Sequence, residues 1–238
     1  MMIPEAQPER SSPARPGADQ VTAVVLCGGE SRRMGRDKAM ITLGQDERGS
    51  LLDHALTRLG EHARRGLVAC GAEPRYQELV DRYPGWELVL DSRSGQGPLA
   101  GLCAALERCT SSWLLVAAVD MPGFGARELG SLLEGVRPGV QIVCFEDPDG
   151  PQPLLALYHR DCLAAVRRAL DAGQRRMISF WRDVEVRTLP IPGAEERLHT
   201  VAGSEQHRGA LRNLNTPADL KREDDMRPLE DEPPRAEE

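Results

Sequence analysis

The chain has 238 residues, a length that suits one large α/β domain. Hydrophobic residues make up 40% of it, enough to bury a core, whereas aromatic residues make up only 4%, too few for base-stacking platforms. The net charge of −7 argues against a protein that grips nucleic acid phosphates. No apolar run reaches the ~20 residues of a transmembrane helix, and the N-terminus has no hydrophobic signal region. We therefore expect a cytoplasmic protein with neither nucleic acid nor membrane as a partner.

The first twenty residues, rich in proline and without a periodic apolar pattern, are predicted to be a disordered extension. Strands and helices then alternate along the chain. The predicted strands cover 21–27, 67–70, 86–90, 113–119 and 140–145, and the predicted helices cover 50–62, 74–82, 99–109 and 126–135. In the first of these helices, Ser50 and Asp53 are predicted to form a capping pair. This alternation predicts an α/β fold: a single three-layer Rossmann-like domain, with a mostly parallel sheet and helices on both faces.

The remainder of the chain is less regular. We expect a strand over 154–159, a helix over 159–173 and a strand over 184–191, the last a candidate for an antiparallel edge strand. Thr216 and Pro217 predict the start of another helix, with proline at its first position. The domain is thus expected to span 21–221, and 222–238 to form an acidic disordered tail.

Six cysteines occur without any C-x-x-C pair, so neither a disulfide framework nor a structural zinc site is expected. They are interpreted as small buried hydrophobic residues in a reducing compartment. Cys27 is considered separately, because it lies within the loop described next.

The most informative segment follows the first strand: Leu-Cys-Gly-Gly-Glu-Ser-Arg-Arg-Met-Gly-Arg-Asp-Lys, residues 26–38. It matches neither the Walker A pattern nor the dinucleotide fingerprint. Glycines at the carboxyl end of a strand nevertheless let backbone N–H groups approach an anion, and the nearby cations can neutralise a triphosphate. In an open α/β sheet, ligands bind at this edge. The alternative is a solvated basic loop.

This loop resembles the G-x-S-R-R-M-G-x-D-K signature of the MobA-type nucleotidyltransferases, specifically the molybdenum cofactor guanylyltransferases. Further segments match in order over residues 21–221. They are Asp91, the Gly-Pro-Leu-Ala-Gly run 97–101, the Val-Asp-Met-Pro run 119–122 and the Asn-Leu-Asn-Thr-Pro run 213–217.

The resemblance implies a role for each matching position. Nucleotide-binding residues would be Leu26, Cys27, Gly28, Gly29, Arg33, Lys38, Asp91, Gly97, Pro98, Leu99 and Asp120. Among these, Arg33 and Lys38 would hold the phosphates and take part in catalysis, and Asp120 would bind catalytic Mg²⁺. Asn213 and Asn215 would form a polar pair near the metal and the pterin substrate. Two positions depart from the pattern: Cys27 stands where alanine is usual, and Ala72 stands where some guanylyltransferases have a nucleotide-contacting asparagine.

Each candidate also has a purely structural interpretation. Asp120 could cap the helix over 126–135, Asp91 could simply terminate its strand, and the asparagines of 213–215 could form a turn. The five histidines have no metal-ligand spacing, and arginines 160, 167 and 168 are expected on a solvated helix face.

The resemblance implies transfer of GMP from GTP to the terminal phosphate of molybdenum-loaded molybdopterin, with contacts to cofactor-biosynthesis proteins and client molybdoenzymes. Gly28 favours GTP, since cytidylyl relatives usually read L-A-A-G in this loop. Two alternatives stay open: a nucleotidyltransferase that uses CTP or another acceptor, and a non-catalytic nucleotide or cofactor carrier.

Overall fold

The structure, a computed structural model, describes residues 15–27, 37–42, 49–91, 93 and 95–192. Within them the strands are β1 Val21–Leu26, β2 Arg65–Ala69, β3 Trp86–Val89, β4 Trp113–Ala118, β5 Ile142–Asp147, β6 Gly150–His159 and β7 Val186–Pro190. The α-helices are α1 Leu51–Gly60, α2 Gln77–Val80, α3 Pro98–Arg108, α4 Ala126–Glu134 and α5 Leu163–Asp171.

The strands form one sheet in the order β3-β2-β1-β4-β6-β5-β7. β1 is parallel to both β2 and β4, whereas β6 is antiparallel to both of its neighbours. In chain order, β2 and β3 are added on one side of β1, and the chain then crosses back to form β4 on the other side of β1. The space between the ends of β1 and β4 is the topological switch point of this sheet.

Alternate residues of each central strand face opposite layers of helices, as a strand buried on both faces requires. In β1, Ala23 and Val25 belong to the core under α1, α2 and α4, whereas Val24 and Leu26 belong to the core under α3 and α5. This arrangement confirms the predicted three-layer α/β fold with a mostly parallel sheet.

Several predicted elements differ in extent or direction. β7 is an edge strand, but it is parallel to β5, so the antiparallel expectation was wrong; the antiparallel strand is β6, in the interior of the sheet. β6 begins at Gly150 rather than at 154. The helix expected over 74–82 is a single turn, and Ala18–Gln20 form a 3₁₀ turn within the segment predicted to be disordered. The helix predicted at Thr216 and the acidic tail lie outside the described residues.

The capping prediction for α1 is confirmed. The backbone N–H of Ser50 donates to the Asp53 carboxylate at 2.8 Å, and the N–H of Asp53 donates to the Ser50 hydroxyl at 3.2 Å. Tyr83 adds a hydroxyl bond to the same carboxylate at 2.8 Å. This reciprocal pair satisfies N–H groups that the first turn of a helix otherwise leaves without partners.

The cysteines are buried, as expected, and all six are free thiols. The arginines of the helix after β6 do lie on a solvated face, where Arg167 pairs with Glu107 at 2.8 Å and both side chains are about half exposed. Within the described part of the chain, no helix combines the length and apolar character that crossing a membrane requires.

Candidate active site

The carboxyl ends of four neighbouring strands form a continuous edge. Beyond β1, the N–H of Cys27 donates to the carbonyl of Ala69 at 2.9 Å, and the N–H of Val119 donates to the carbonyl of Leu26 at 3.1 Å. On the other side, the N–H of Asp91 donates to the carbonyl of Gly71 at 2.8 Å. The carbonyl of Leu26 and the N–H of Cys27 thus form hydrogen bonds between neighbouring segments. Together these bonds hold the residues after each strand in fixed positions relative to one another.

Lys38 and Asp120 meet at the switch point. The ammonium Nζ of Lys38 lies 2.9 Å from Oδ2 of Asp120, and each side chain is 19% exposed. Asp120 follows β4, while Lys38 follows β1 after the glycine-rich loop. Because β1 and β4 are adjacent and parallel, the segments after them emerge at the same edge, which brings together residues 82 positions apart.

Lys38 is carried by a 3₁₀ turn, Lys38–Met40, whose N-cap is Asp37. Oδ1 of Asp37 accepts the N–H of Ala39 at 3.1 Å. The same carboxylate accepts the hydroxyl of Tyr76 at 2.9 and 2.8 Å, and Arg75 lies 3.8 Å away. The turn is thus attached to the chain that follows β2, as well as to β1.

The loop that follows Asp120 is held by α1. The guanidinium of Arg58 donates to the carbonyl of Pro122 and, at 2.9 Å, to that of Phe124, over whose ring it also lies. The N-cap of α4 is Gly125, and its N–H is bonded to Glu128. Asp120 therefore does not cap α4, so the capping alternative was wrong and its carboxylate is directed to Lys38.

A second group of predicted residues follows β3. Asp91 is buried, and one of its carboxylate oxygens accepts the N–H of Arg93 at 2.7 Å, so this side chain does shape the loop after its strand. Gly97 is the N-cap of α3, and its φ of 76° lies in the region where a side chain causes strain. Pro98 is the first residue of α3. Leu99 is fully buried in the core under α3, so a ligand at this edge could meet its backbone but not its side chain.

The two groups lie apart along the edge. Asp91 follows β3 and Asp120 follows β4, so three strand spacings separate them, roughly 14 Å at the usual spacing of ~4.8 Å. Between them lie the ends of β2 and β1. An elongated ligand with a charged end near Lys38 and a polar end near the N-terminus of α3 matches this layout.

The described residues at this edge do not supply an activated nucleophile. Burial, together with the neighbouring Cys70 and Asp37, raises the pKa of the Cys27 thiol well above its ordinary value, so it is not a reactive thiolate. His54 and His62 are on or just beyond α1, and burial lowers the pKa of both imidazoles, so they are neutral near pH 7.

A divalent cation is compatible with Asp120. The described residues contain no group of three or more His, Cys, Asp or Glu side chains arranged to hold a metal. A hard cation such as Mg²⁺ needs only one or two protein carboxylates, because it keeps several waters and binds substrate phosphates. One carboxylate at the edge where phosphates would lie meets that requirement.

The structure thus brings together Lys38 with Asp120, and separately Asp91 with the start of α3. Other predicted site residues, Gly28, Gly29, Arg33, Asn213 and Asn215, lie outside the described residues. Asp37, Arg75 and Tyr76 were not among the candidates. Asp37 stands in the quoted signature immediately before Lys38, which was a usable signal, whereas nothing in a single sequence connects Tyr76 with it.

Comparison with known proteins agrees with this geometry. The model of the MobA-like NTP transferase domain matches residues 23–186. A probable molybdenum cofactor guanylyltransferase from Deinococcus radiodurans is 37% identical over 201 residues, which cover 84% of this chain and 92% of that protein. Its counterpart in Opitutus terrae is 37% identical over 213 residues, covering 87% and 96%. The crystal structure of molybdopterin-guanine dinucleotide biosynthesis protein A from Archaeoglobus fulgidus superposes with a TM-score of 0.69 at 28% identity, covering 86% of this chain and 97% of that one.

The sheet is an open α/β sheet with a lysine and a carboxylate at its switch point, and the family model matches most of the chain. These features define an enzyme of nucleotidyl transfer. The chain belongs to the MobA-like NTP transferase family, as the resemblance of its loop predicted. Members of this class generally use a divalent metal.

Proposed function

We propose that this protein transfers GMP from GTP to the terminal phosphate of molybdenum-loaded molybdopterin. An acceptor phosphate oxygen attacks the α-phosphorus of GTP, the bond from that phosphorus to the bridging oxygen breaks, and pyrophosphate leaves with that oxygen. The products are the guanine dinucleotide form of the cofactor and pyrophosphate. The observation that carries the proposal is the Lys38–Asp120 pair at the switch point of a chain whose relatives are guanylyltransferases.

The attacking oxygen is already anionic, so the reaction needs no strong general base. What it needs is alignment of the two substrates and neutralisation of the charge on the triphosphate. In this proposal Lys38 and Arg33 bind the phosphates and stabilise the departing pyrophosphate. Asp120 supplies the carboxylate oxygen that holds Mg²⁺, which when bound neutralises charge on the phosphate oxygens.

The remaining predicted residues fit the other parts of the substrates. Gly97, Pro98 and Asp91, roughly 14 Å along the edge from Asp120, are proposed to bind the nucleoside end of GTP with their backbone and carboxylate groups. Gly28 and Gly29 are proposed to lie against the phosphates, and Asn213 and Asn215 beside the metal and the pterin. We further propose that the reaction takes place in the cytoplasm, with transient contacts to cofactor-biosynthesis proteins and client molybdoenzymes.

The test is release of pyrophosphate from GTP, CTP or ATP, with Mg²⁺, in the presence and absence of loaded molybdopterin. We expect release with GTP only, and only when the acceptor is present. Release with CTP in place of GTP would contradict the assignment of the base. Tight binding of GTP with no pyrophosphate release in the complete mixture would instead indicate a carrier.

A further inference from the structure

A buried tyrosine forms a hydrogen bond to Asp37, the residue that precedes Lys38. Tyr76 is only 3% exposed, and its hydroxyl lies 2.9 and 2.8 Å from the two carboxylate oxygens of Asp37. It follows β2, so this contact joins two segments that leave different strands at the same edge of the sheet. The family resemblance assigned no role to either residue.

The hydrogen bond between Tyr76 and Asp37 is connected to Lys38 by one short turn, Lys38–Met40. Asp37 caps that turn by accepting the N–H of Ala39 at 3.1 Å, and the N–H of Met40 donates to the Asp37 carbonyl at 3.2 Å. The ammonium of Lys38, at the start of the turn, reaches Asp120 at 2.9 Å. Rotation of the Asp37 carboxylate would therefore loosen the turn that aims Lys38.

Arg75 secures the same contact from the other side. Its guanidinium lies over the ring of Tyr76, 5.5 Å from the centroid, and 3.8 Å from the Asp37 carboxylate. It also donates to the carbonyl of Cys70 at 3.4 Å, immediately after β2. The end of β2 and the turn after β1 are thus connected through Asp37, Arg75 and Tyr76.

We propose that Tyr76 is a positioning residue for nucleotidyl transfer: through Asp37 it fixes the turn that holds the Lys38 ammonium at Asp120, where the triphosphate binds. This rests on the proposed function in so far as Lys38 binds nucleotide phosphates. The phenol suits this task. Burial, with Cys27 and Asp37 nearby, raises its pKa far above the ordinary value, so it remains a hydrogen-bond donor at every working pH.

The chain offers a matched control. Tyr83 makes the same kind of hydrogen bond, donating its hydroxyl to Oδ1 of Asp53 at 2.8 Å. Asp53 also accepts a backbone N–H at the start of a helix, that of Ser50, the N-cap of α1. Tyr76→Phe and Tyr83→Phe each remove one hydroxyl and keep the ring. Both substitutions are expected to lower the stability of the protein, but only Tyr76→Phe is expected to change the reactivity of the Lys38 amine.

The composition permits a direct measurement on Lys38. The chain contains two lysines, Lys38 and Lys221, so Lys221→Arg leaves a single side-chain amine. In that background, the rate of acylation of Lys38 by an amine-reactive ester is followed by peptide mass spectrometry. Because the effect reaches Lys38 only through Asp37, we expect Tyr76→Phe to raise this rate about five- to tenfold, less than the full contribution of a hydrogen bond to a charged group. Tyr83→Phe should leave it unchanged, and Asp37→Asn, which keeps the size of the side chain, should raise it as Tyr76→Phe does.

Activity supplies the second readout, a double-mutant cycle. Tyr76→Phe should lower kcat/KM for GTP about five- to tenfold in the presence of Lys38, but cause no further loss in the Lys38→Ala variant. A merely structural contribution would lower activity by the same factor in both backgrounds. That result, or equal acylation rates in the Tyr76 and Tyr83 variants, would overturn the proposal.

The two readouts separate this proposal from the function on which it rests. Acylation of Lys38 requires no nucleotide and no acceptor. Absence of pyrophosphate release by the unmodified protein would thus count against guanylyl transfer, while the acylation rates still decide whether Tyr76 holds Lys38 in place.

Discussion

Lys38 and Asp120 compensate each other's charge at the edge of the sheet, where the ammonium and the carboxylate lie 2.9 Å apart. Their side chains are mostly shielded from water, so removal of one leaves the other as a poorly solvated charge. At the residue scale this pair is where a single substitution should matter most to activity.

Lys38→Ala and Asp120→Ala are each expected to reduce turnover by ~10²-fold or more, the usual loss when one charge-stabilising group is removed from an active site. Pyrophosphate release under saturating GTP and acceptor measures the effect. Arg108→Ala is the control: it breaks a pair with Glu87 at 3.1 Å in which both side chains are substantially exposed, and it should leave turnover within about twofold. Turnover near the unmodified rate in either the Lys38 or the Asp120 variant would remove that residue from the proposed catalytic residues.

Part of this residue-level picture could be predicted from the sequence. The positions of Lys38 and Asp120 follow from their places after two strands, because parallel strands end at one edge. The bond from Tyr76 to Asp37 could not be predicted, since it depends on the path of the loop after β2, which no periodic pattern describes. Nor did the sequence indicate that the side chain of Leu99 would be buried in the core.

At the scale of elements, β2 and β3 pack together at a contact that requires a glycine in β2. Gly66 in β2 is buried, and a Cβ at this position would overlap the indole ring of Trp86 in β3, whose nitrogen lies near Gly60 of α1. The ring thus occupies the space that a side chain at position 66 would need. The absence of a side chain here is what allows the tryptophan to cover the end of β2.

Gly66→Ala is therefore expected to destabilise the protein by about 3 kcal/mol, at the upper end of the usual cost of overpacking. Urea unfolding monitored by tryptophan fluorescence measures the change. Gly130→Ala in α4 is the matched control, because a Cβ there meets no atom within 4 Å and alanine favours a helix by up to about 1 kcal/mol. Equal stabilities for the two variants would show that Trp86 can move aside freely.

The elements differ in how far local sequence determines them. Helices α1, α3 and α4 and the first four strands lie close to their predicted positions, because apolar periodicity reflects local geometry. The direction of β6 and β7 depends instead on which strands they pair with, and pairing across the sheet leaves no local signal. The predicted helix over 74–82 is reduced to one turn, with Pro74 near its start and the Pro84–Gly85 turn soon after its end.

At the scale of the whole molecule, six thiols are buried in a protein without disulfides among them. Burial, with Glu107 near Cys103 and Glu146 near Cys144, raises the pKa of Cys103 to about 11 and that of Cys144 to about 12. Burial also raises the pKa of Cys162 to about 12. The thiolate, the form that reacts with alkylating and oxidising reagents, is correspondingly scarce.

The native protein should therefore react with a thiol-specific disulfide reagent at pH 7 at least ~100-fold more slowly than the unfolded chain. All six cysteines should react promptly in guanidinium chloride. Absorbance of the released thiolate measures both rates, and peptide mapping identifies any early reaction. A cysteine that reacts equally fast in both conditions would contradict its burial.

The reversed strand β6 also affects how the molecule behaves among copies of itself. β6 pairs with β4 only from Leu155 onward, so its first residues, next to β5, run past the carboxyl end of β4 with no partner on the β4 side among the described residues. A row of open N–H and C=O groups of this kind invites strands of other molecules. Pro151 and Pro153 lie within that stretch and lack an N–H, and the carbonyl of Pro153 accepts the hydroxyl of Tyr158 at 2.7 Å. With two N–H groups fewer, this stretch beside the candidate active site is a poorer template for intermolecular β-pairing than a strand without proline would be.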